Sequence, residues 1–267
     1  MDKRRMKKMA RNPNQIAGIY NYCDGWCKRC PFTSRCLTFA MEQEDPLKND
    51  LKANDIENKE FWDRIGENFR LTLEMLYDDA NRLSIDLNAI PEDTELNKML
   101  EDRHDAARNH PLTKKATQYM HMVDDWFKGS KGIFTLKADE LQKKMVIELI
   151  NKDPVKDLES IQEAVDIIKW YFMQIGVKLS RAFSGRYMDE VEGWNLDGEF
   201  PRDSDGSAKV SLIGIDRSIS AWGSMLKQLP DEENQILDML VFLEKLRKQI
   251  EAEFPDARAF KRPGFDD

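Results

Sequence analysis

Four cysteines, Cys23, Cys27, Cys30 and Cys36, stand within fourteen residues, and they are all the cysteines of the 267-residue chain. The gaps between them are three, two and five residues. Cysteines that merely fill a core scatter along a chain, whereas thiols this close in sequence point to one metal-binding knuckle. Lys28, Arg29 and Arg35 lie among them. Neighbouring cations lower a thiol's pKa, so these thiols are expected to favour the thiolate that metals need. Two metals compete for such a site. Structural zinc wants a tetrahedron of sulfurs at about 2.3 Å, usually offered by two pairs separated by a longer stretch. A [4Fe–4S] cube is larger and is readily wrapped by one short segment. All four ligands here come from one segment, which favours the cluster, with zinc as the alternative. Tyr20, Tyr22, Trp26 and Phe32 flank the cysteines. They are expected to shield a cluster from water, as aromatic side chains also do over zinc.

The run from Cys27 through Cys30-Pro31 to Cys36, Leu37 and Ala40 resembles the C-x2-C-P-x4-C segment of WhiB-like iron–sulfur regulators. Those also continue with Leu and a short Ala-bearing helix. The same C-x2-C-x5-C ending is similar to the iron–sulfur loop of helix-hairpin-helix DNA glycosylases. Both resemblances imply that Cys27, Cys30 and Cys36 ligate a [4Fe–4S] cluster. Cys23 departs from both patterns, because it lies only three residues before the pair. The glycosylase loop has six there, and the regulators have a much longer gap. Cys23-x3-Cys27-x2-Cys30 is also the spacing of radical-SAM enzymes, but Cys36 fills the fourth position and a helical remainder supplies no α/β barrel. The resemblance covers about fifteen residues. No helix-hairpin-helix glycine motif with a catalytic Lys and Asp follows, so no glycosylase activity is implied. The chain as a whole resembles bacterial helical proteins that open with such a cysteine segment, which implies no mechanism.

The body offers weaker constellations. Glu101 and His104 have the helical spacing of a di-iron motif, but a second such motif is missing and His121 with Asp124 is a poor substitute. A solvated pair is the expectation. Glu163, Lys178, Arg181 and Asp216 are candidates for a polar pocket in a helical enzyme. Surface charges and helix–helix pairs are the plainer account. Asp203-Ser204-Asp205-Gly206 opens like a calcium loop yet lacks the bidentate Glu, so a helix cap before Ser207 explains it better. Asp216 and Arg217 are expected to form a buried pair. No phosphate-cradling loop, dinucleotide fingerprint, nucleophile elbow or zinc-protease helix occurs, so no catalytic motif is recognisable.

The elements that must position these residues are helical. Phe61, Ile65, Phe69, Leu73, Leu76 and Leu83 recur at threes and fours, which predicts an amphipathic helix from Glu60. A turn near Pro91 precedes a helix ending at Asn109-His110-Pro111, because proline excludes helical geometry from its predecessor. A further helix spans 113–128, a loop covers Gly129 to Gly132, and the next helix runs over 137–151. Pro154 starts a long helix that Gly185 can end. The stretch 188–205 reads as an acidic loop. Helices over 207–229 and 232–254 close the pattern. The small residues Ala208, Ser211, Gly214, Ser218 and Ala221 lie near one face, as close helix packing requires.

Composition agrees. Of all residues 41% are hydrophobic and 34% are charged, with only 13 Gly and 10 Pro. This suits charged amphipathic helices better than buried strands. The expected fold is all-α: a bundle of about six or seven helices over 60–254, a four-cysteine metal knuckle over 16–45, and a basic flexible arm over 1–15. No apolar run is long enough to span a membrane, and no apolar stretch follows the basic start as in a secretory signal. A cytoplasmic location, where thiols stay reduced, is therefore expected. Residues 1–36 hold nine Lys or Arg against two Asp, a local net of +7 on a chain of net −8. Such an arm can contact nucleic acid or a protein partner, or dock on its own acidic body.

Overall fold

The computed structural model describes residues 3–50, 53–87, 94–146, 154–191, 193 and 202–266. The chain falls into two compact units, Met1–Asn97 with Arg262–Asp267, and Lys98–Lys261. Nine α-helices and no strand occur among the described residues: α1 (Lys3–Ala10), α2 (Leu37–Gln43), α3 (Lys59–Arg82), α4 (Thr94–Asn109), α5 (Pro111–Gly129), α6 (Lys131–Val146), α7 (Pro154–Glu190), α8 (Asp203–Gln228) and α9 (Glu233–Glu253). The all-helical reading holds. Seven of the nine, α3 to α9, fall within the range read as the bundle, and two short ones, α1 and α2, precede them.

In the first unit, α1 places Lys3 and Lys7 one turn apart, and both pair with Asp78 of α3. Arg5 grips the two oxygens of Glu44 at 3.2 and 2.8 Å. Asn58 caps α3 by accepting from the Glu60 N–H. The apolar stripe predicted for α3 is not buried: Phe69, Leu73 and Leu76 are 67, 53 and 51% exposed. Period 3.6 specifies a helix with an apolar face, and it says nothing of whether a partner covers that face.

In the second unit α7 and α8 lie along each other, with α9 against α8 and α5, and α5 and α6 against α7. The small residues predicted for close packing are all buried on α8. A Cβ on Gly214 would stand 3.1 Å from both Ile175 and Tyr171. The Ser211 hydroxyl donates to the Ile175 carbonyl at 3.1 Å. The helix therefore approaches α7 at backbone distance.

Several boundaries differ from expectation. Gly185 does not end α7, which continues to Glu190. Its missing side chain serves proximity instead: a Cβ there would lie 3.2 Å from the Ser204 backbone nitrogen. The expected loop over 188–205 shrinks accordingly, since α8 begins at Asp203. Asp203 and Asp205 sit inside its first turn, where carboxylates meet the positive end of the helix dipole; Arg202, and no residue just before Ser207, is the N-cap. Residues 192 and 194–201 lie outside the described residues. The loop predicted over Gly129 to Gly132 reduces to a break at Ser130, whose N–H still bonds the Trp126 carbonyl at 2.9 Å.

The break at Asn109-His110-Pro111 is present, and His110 is the N-cap of α5. Its Nδ1 accepts from the Leu112 N–H at 3.3 Å, which places the neutral ring's proton on Nε2. The ring stacks on Phe183 with centroids 3.5 Å apart. Burial holds His110 below the usual histidine pKa; Glu253 opposes this and Arg186 adds to it. The unfolded chain therefore takes up the proton first as pH falls. His110's contribution to stability is whole above its unfolded pKa of about 6.5 and is lost as pH drops through that value towards the lower folded one. Urea unfolding is expected to show stability declining from about pH 7.5 to about pH 5.5, and His110→Asn, which can still cap, is expected to flatten that slope. An unchanged slope in the variant would contradict this assignment.

Candidate functional site

Three short 3-10 turns carry the cysteines: Ile19–Tyr22, Cys27–Arg29 and Thr33–Arg35. Cys23 follows the first turn with extended backbone. Asp24 then accepts from the Trp26 N–H at 3.1 Å, and Gly25 takes φ +68°, so the chain reverses at once. Cys27 opens the second turn and Cys30 closes it, with the Cys30 N–H on the Cys27 carbonyl at 3.2 Å. The Cys30 Sγ accepts from the Phe32 N–H at 3.4 Å. Cys36 ends the third turn and caps α2, whose first carbonyl acceptor it supplies to Ala40 at 2.9 Å. The Ile16 N–H on the Arg35 carbonyl at 2.9 Å closes the segment on itself.

Each cysteine is half-buried and none is in a disulfide. All four line one cavity, together with Ile19, Tyr20, Trp26, Phe39 and Phe265. Its volume is about 20 Å³, room for about one water molecule. Among the described residues, no three His, Cys, Asp or Glu side chains are drawn together as the ligands of one ion would be. The thiols thus share a cavity without converging on a single point. Glu101, His104 and His121 are exposed, which agrees with solvated side chains.

The thiol chemistry differs from the expectation. Burial pushes the Cys27 thiol up rather than down, and the negative charges of Glu42, Cys23, Cys36 and Cys30 add to it. Two of the three cations expected to offset this are turned elsewhere. Arg29 lies over the Trp26 ring at 4.0 Å, and the Arg35 Nε donates to the Asn14 carbonyl at 3.1 Å.

No family model, curated protein or solved structure matches this chain. The site must therefore be read from its own atoms.

Of the expected aromatic shield, Tyr20 and Trp26 line the cavity. Phe32 instead packs edge-to-face on Phe265, centroids 5.1 Å apart. Phe265 is a wall that sequence reasoning missed, because it lies more than two hundred residues from the cysteines and no local pattern links them. Phe39 could have been found, since α2 leaves from Cys36 and carries it one turn on.

The other proposed site does not assemble. Glu163, Lys178 and Arg181 all lie on the continuous helix α7. At 1.5 Å per residue, Glu163 and Arg181 are about 27 Å apart along its axis, too far to line one pocket. Arg181 clamps Asp203, with its Nε at 3.1 Å from Oδ2. Asp216 accepts from Arg258 at 2.6 Å and from Arg247 at 3.3 Å. Arg217 donates to the Tyr171 hydroxyl, so the expected Asp216–Arg217 pair is not formed. Successive helical residues point in different directions.

In donor type the cysteine segment fits a thiolate-bound metal: four sulfurs on one cavity, with apolar and aromatic walls that limit water. In space the cavity of about 20 Å³ is small for a cube, and the thiols are not gathered around one point as a single ion requires.

Proposed function

We propose that the chain is a metal-binding protein whose Cys23, Cys27, Cys30 and Cys36 hold a [4Fe–4S] cluster with a redox, sensing or structural role. The observation that carries this reading is that all four cysteines face one cavity. The local resemblance of Cys27 to Ala40 to iron–sulfur segments favours the cluster over zinc. When bound, such a cluster supplies one-electron chemistry or a rigid cross-link. The protein's own part is to present four sulfurs, to donate the Phe32 N–H to the Cys30 sulfur, and to exclude water with Ile19, Trp26 and Phe39.

The small free volume favours a second reading, one structural zinc on the same four thiols. Iron, acid-labile sulfide and zinc contents of anaerobically purified protein separate the two readings. The basic segment, read from sequence as a contact for nucleic acid or protein, has Lys3, Arg5 and Lys7 paired with Asp78 and Glu44. That pairing supports docking on its own unit over an external partner.

A further inference from the structure

We propose that the cavity between α6 and α7 is a binding site for a small organic acid, one carboxylate on an apolar body. The site lies wholly within the Lys98–Lys261 unit and is independent of the metal reading.

Two helix faces and one ring make it. On α6 the lining residues are Phe134, Lys137, Ala138 and Leu141, and on α7 they include Leu158, Ile161, Val165 and Lys169. Each set keeps to one face of its helix, because residues three and four apart are neighbours. Phe127 of α5 adds its ring to the wall. The space between them is about 340 Å³. That falls in the range of small-molecule pockets and gives room for about ten non-hydrogen atoms. Ala138, in the middle of the α6 face, contributes only a methyl group. Leu141 and Ile161 are buried, whereas Leu158 is 51% exposed, so the cavity has an apolar floor and an open side.

Charge decides what an occupant must carry. Lys137, Asp166 and Lys169 are the ionisable residues of the lining, two cations against one carboxylate. Lys137 is paired with Glu140, its Nζ 2.9 Å from Oε2. Asp166 accepts from the Gln162 Nε2 at 2.7 Å. Lys169 differs. Its ammonium stands 4.8 Å over the Phe127 ring, and among the described residues no carboxylate pairs with it. An aromatic face attracts a cation without neutralising it. A carboxylate beside Lys169 therefore gains a charge-assisted hydrogen bond, whereas a cationic occupant would meet two lysines. An acid whose tail lies against Leu141 and Ile161 suits both ends of the cavity: burial of the tail drives binding, and Lys169 orients the head.

Octanoate, titrated into the full chain and followed by calorimetry, is the probe. It is expected to bind saturably with a Kd below about 1 mM, as a ligand of about ten non-hydrogen atoms can. Butanoate leaves most of the cavity empty, and octylammonium has the same tail with the opposite charge. Each is expected to bind at least about tenfold more weakly. Lys169→Gln is expected to weaken octanoate about fivefold. Ala138→Phe, which puts a ring into the space, is expected to weaken it at least about tenfold. Both positions are exposed, so far-UV circular dichroism is expected to stay the same in both variants. No saturable octanoate binding below about 1 mM, or either control binding as tightly, would overturn the site. Octanoate binding unchanged in both variants would place the acid elsewhere on the chain and overturn this assignment.

Discussion

Cys27→Ser is expected to strip the protein of bound metal, to below about a tenth of the parent's content, with its helix content unchanged. Cys27 lines the cavity with the other three cysteines and opens the turn that Cys30 closes. A hydroxyl keeps the shape of the thiol but is a poor ligand near neutral pH. Binding free energy at structural thiolate sites is on the order of 10 kcal/mol, so losing one of four ligands removes most of the retention. Cys27 itself carries no core of the Lys98–Lys261 unit, which is why far-UV circular dichroism is expected to stay the same. A Cys27→Ser protein with full metal content would show that Cys27 is not a ligand.

Trp222→Ala is expected to cost about 3–5 kcal/mol of stability in the helical unit, measured by urea unfolding. Trp222 is fully buried. Its Nε1 donates at 2.9 Å to the hydroxyl of Tyr119, which is buried as completely. It also meets Trp126 edge-to-face, with centroids 5.0 Å apart. Alanine removes the indole volume and leaves the Tyr119 oxygen without its donor. Burial pushes the Tyr119 hydroxyl up to about 12, so it stays neutral at ordinary pH and gains nothing by ionising. Total stabilities are about 5–15 kcal/mol, so the variant sits near the edge of folding. A loss below about 1 kcal/mol would contradict the placing of Trp222 at the centre of the packing.

The helices were legible where local chemistry sets them. Pro111 forces the break before α5, and the small residues of α8 announce close packing that Gly214 and Ser211 carry out. Legibility fails where a residue's role depends on a distant neighbour. Gly185 reads as a helix end, yet it exists to let the Ser204 backbone approach. The stripe of α3 reads as a core face, yet Phe69 is two-thirds exposed. Glu163, Lys178 and Arg181 read as pocket residues only while the length of α7 is unknown; one continuous helix spaces them along its axis. At the cysteine segment, spacing alone identifies the four residues that share the cavity. It does not reveal Phe265, nor the raised pKa of Cys27, because cations near in sequence need not face the thiols in space. Arg29 and Arg35 are bound to Trp26 and Asn14 instead.

The most direct test is the iron, acid-labile sulfide and zinc content of the full chain purified without oxygen. Brown protein, bleached by dithionite and holding about four iron and four sulfide per chain, is the expected result. One zinc per chain without iron would move the assignment to the second metal on the same four cysteines. Colourless protein with neither iron, sulfide nor zinc would contradict the metal site itself.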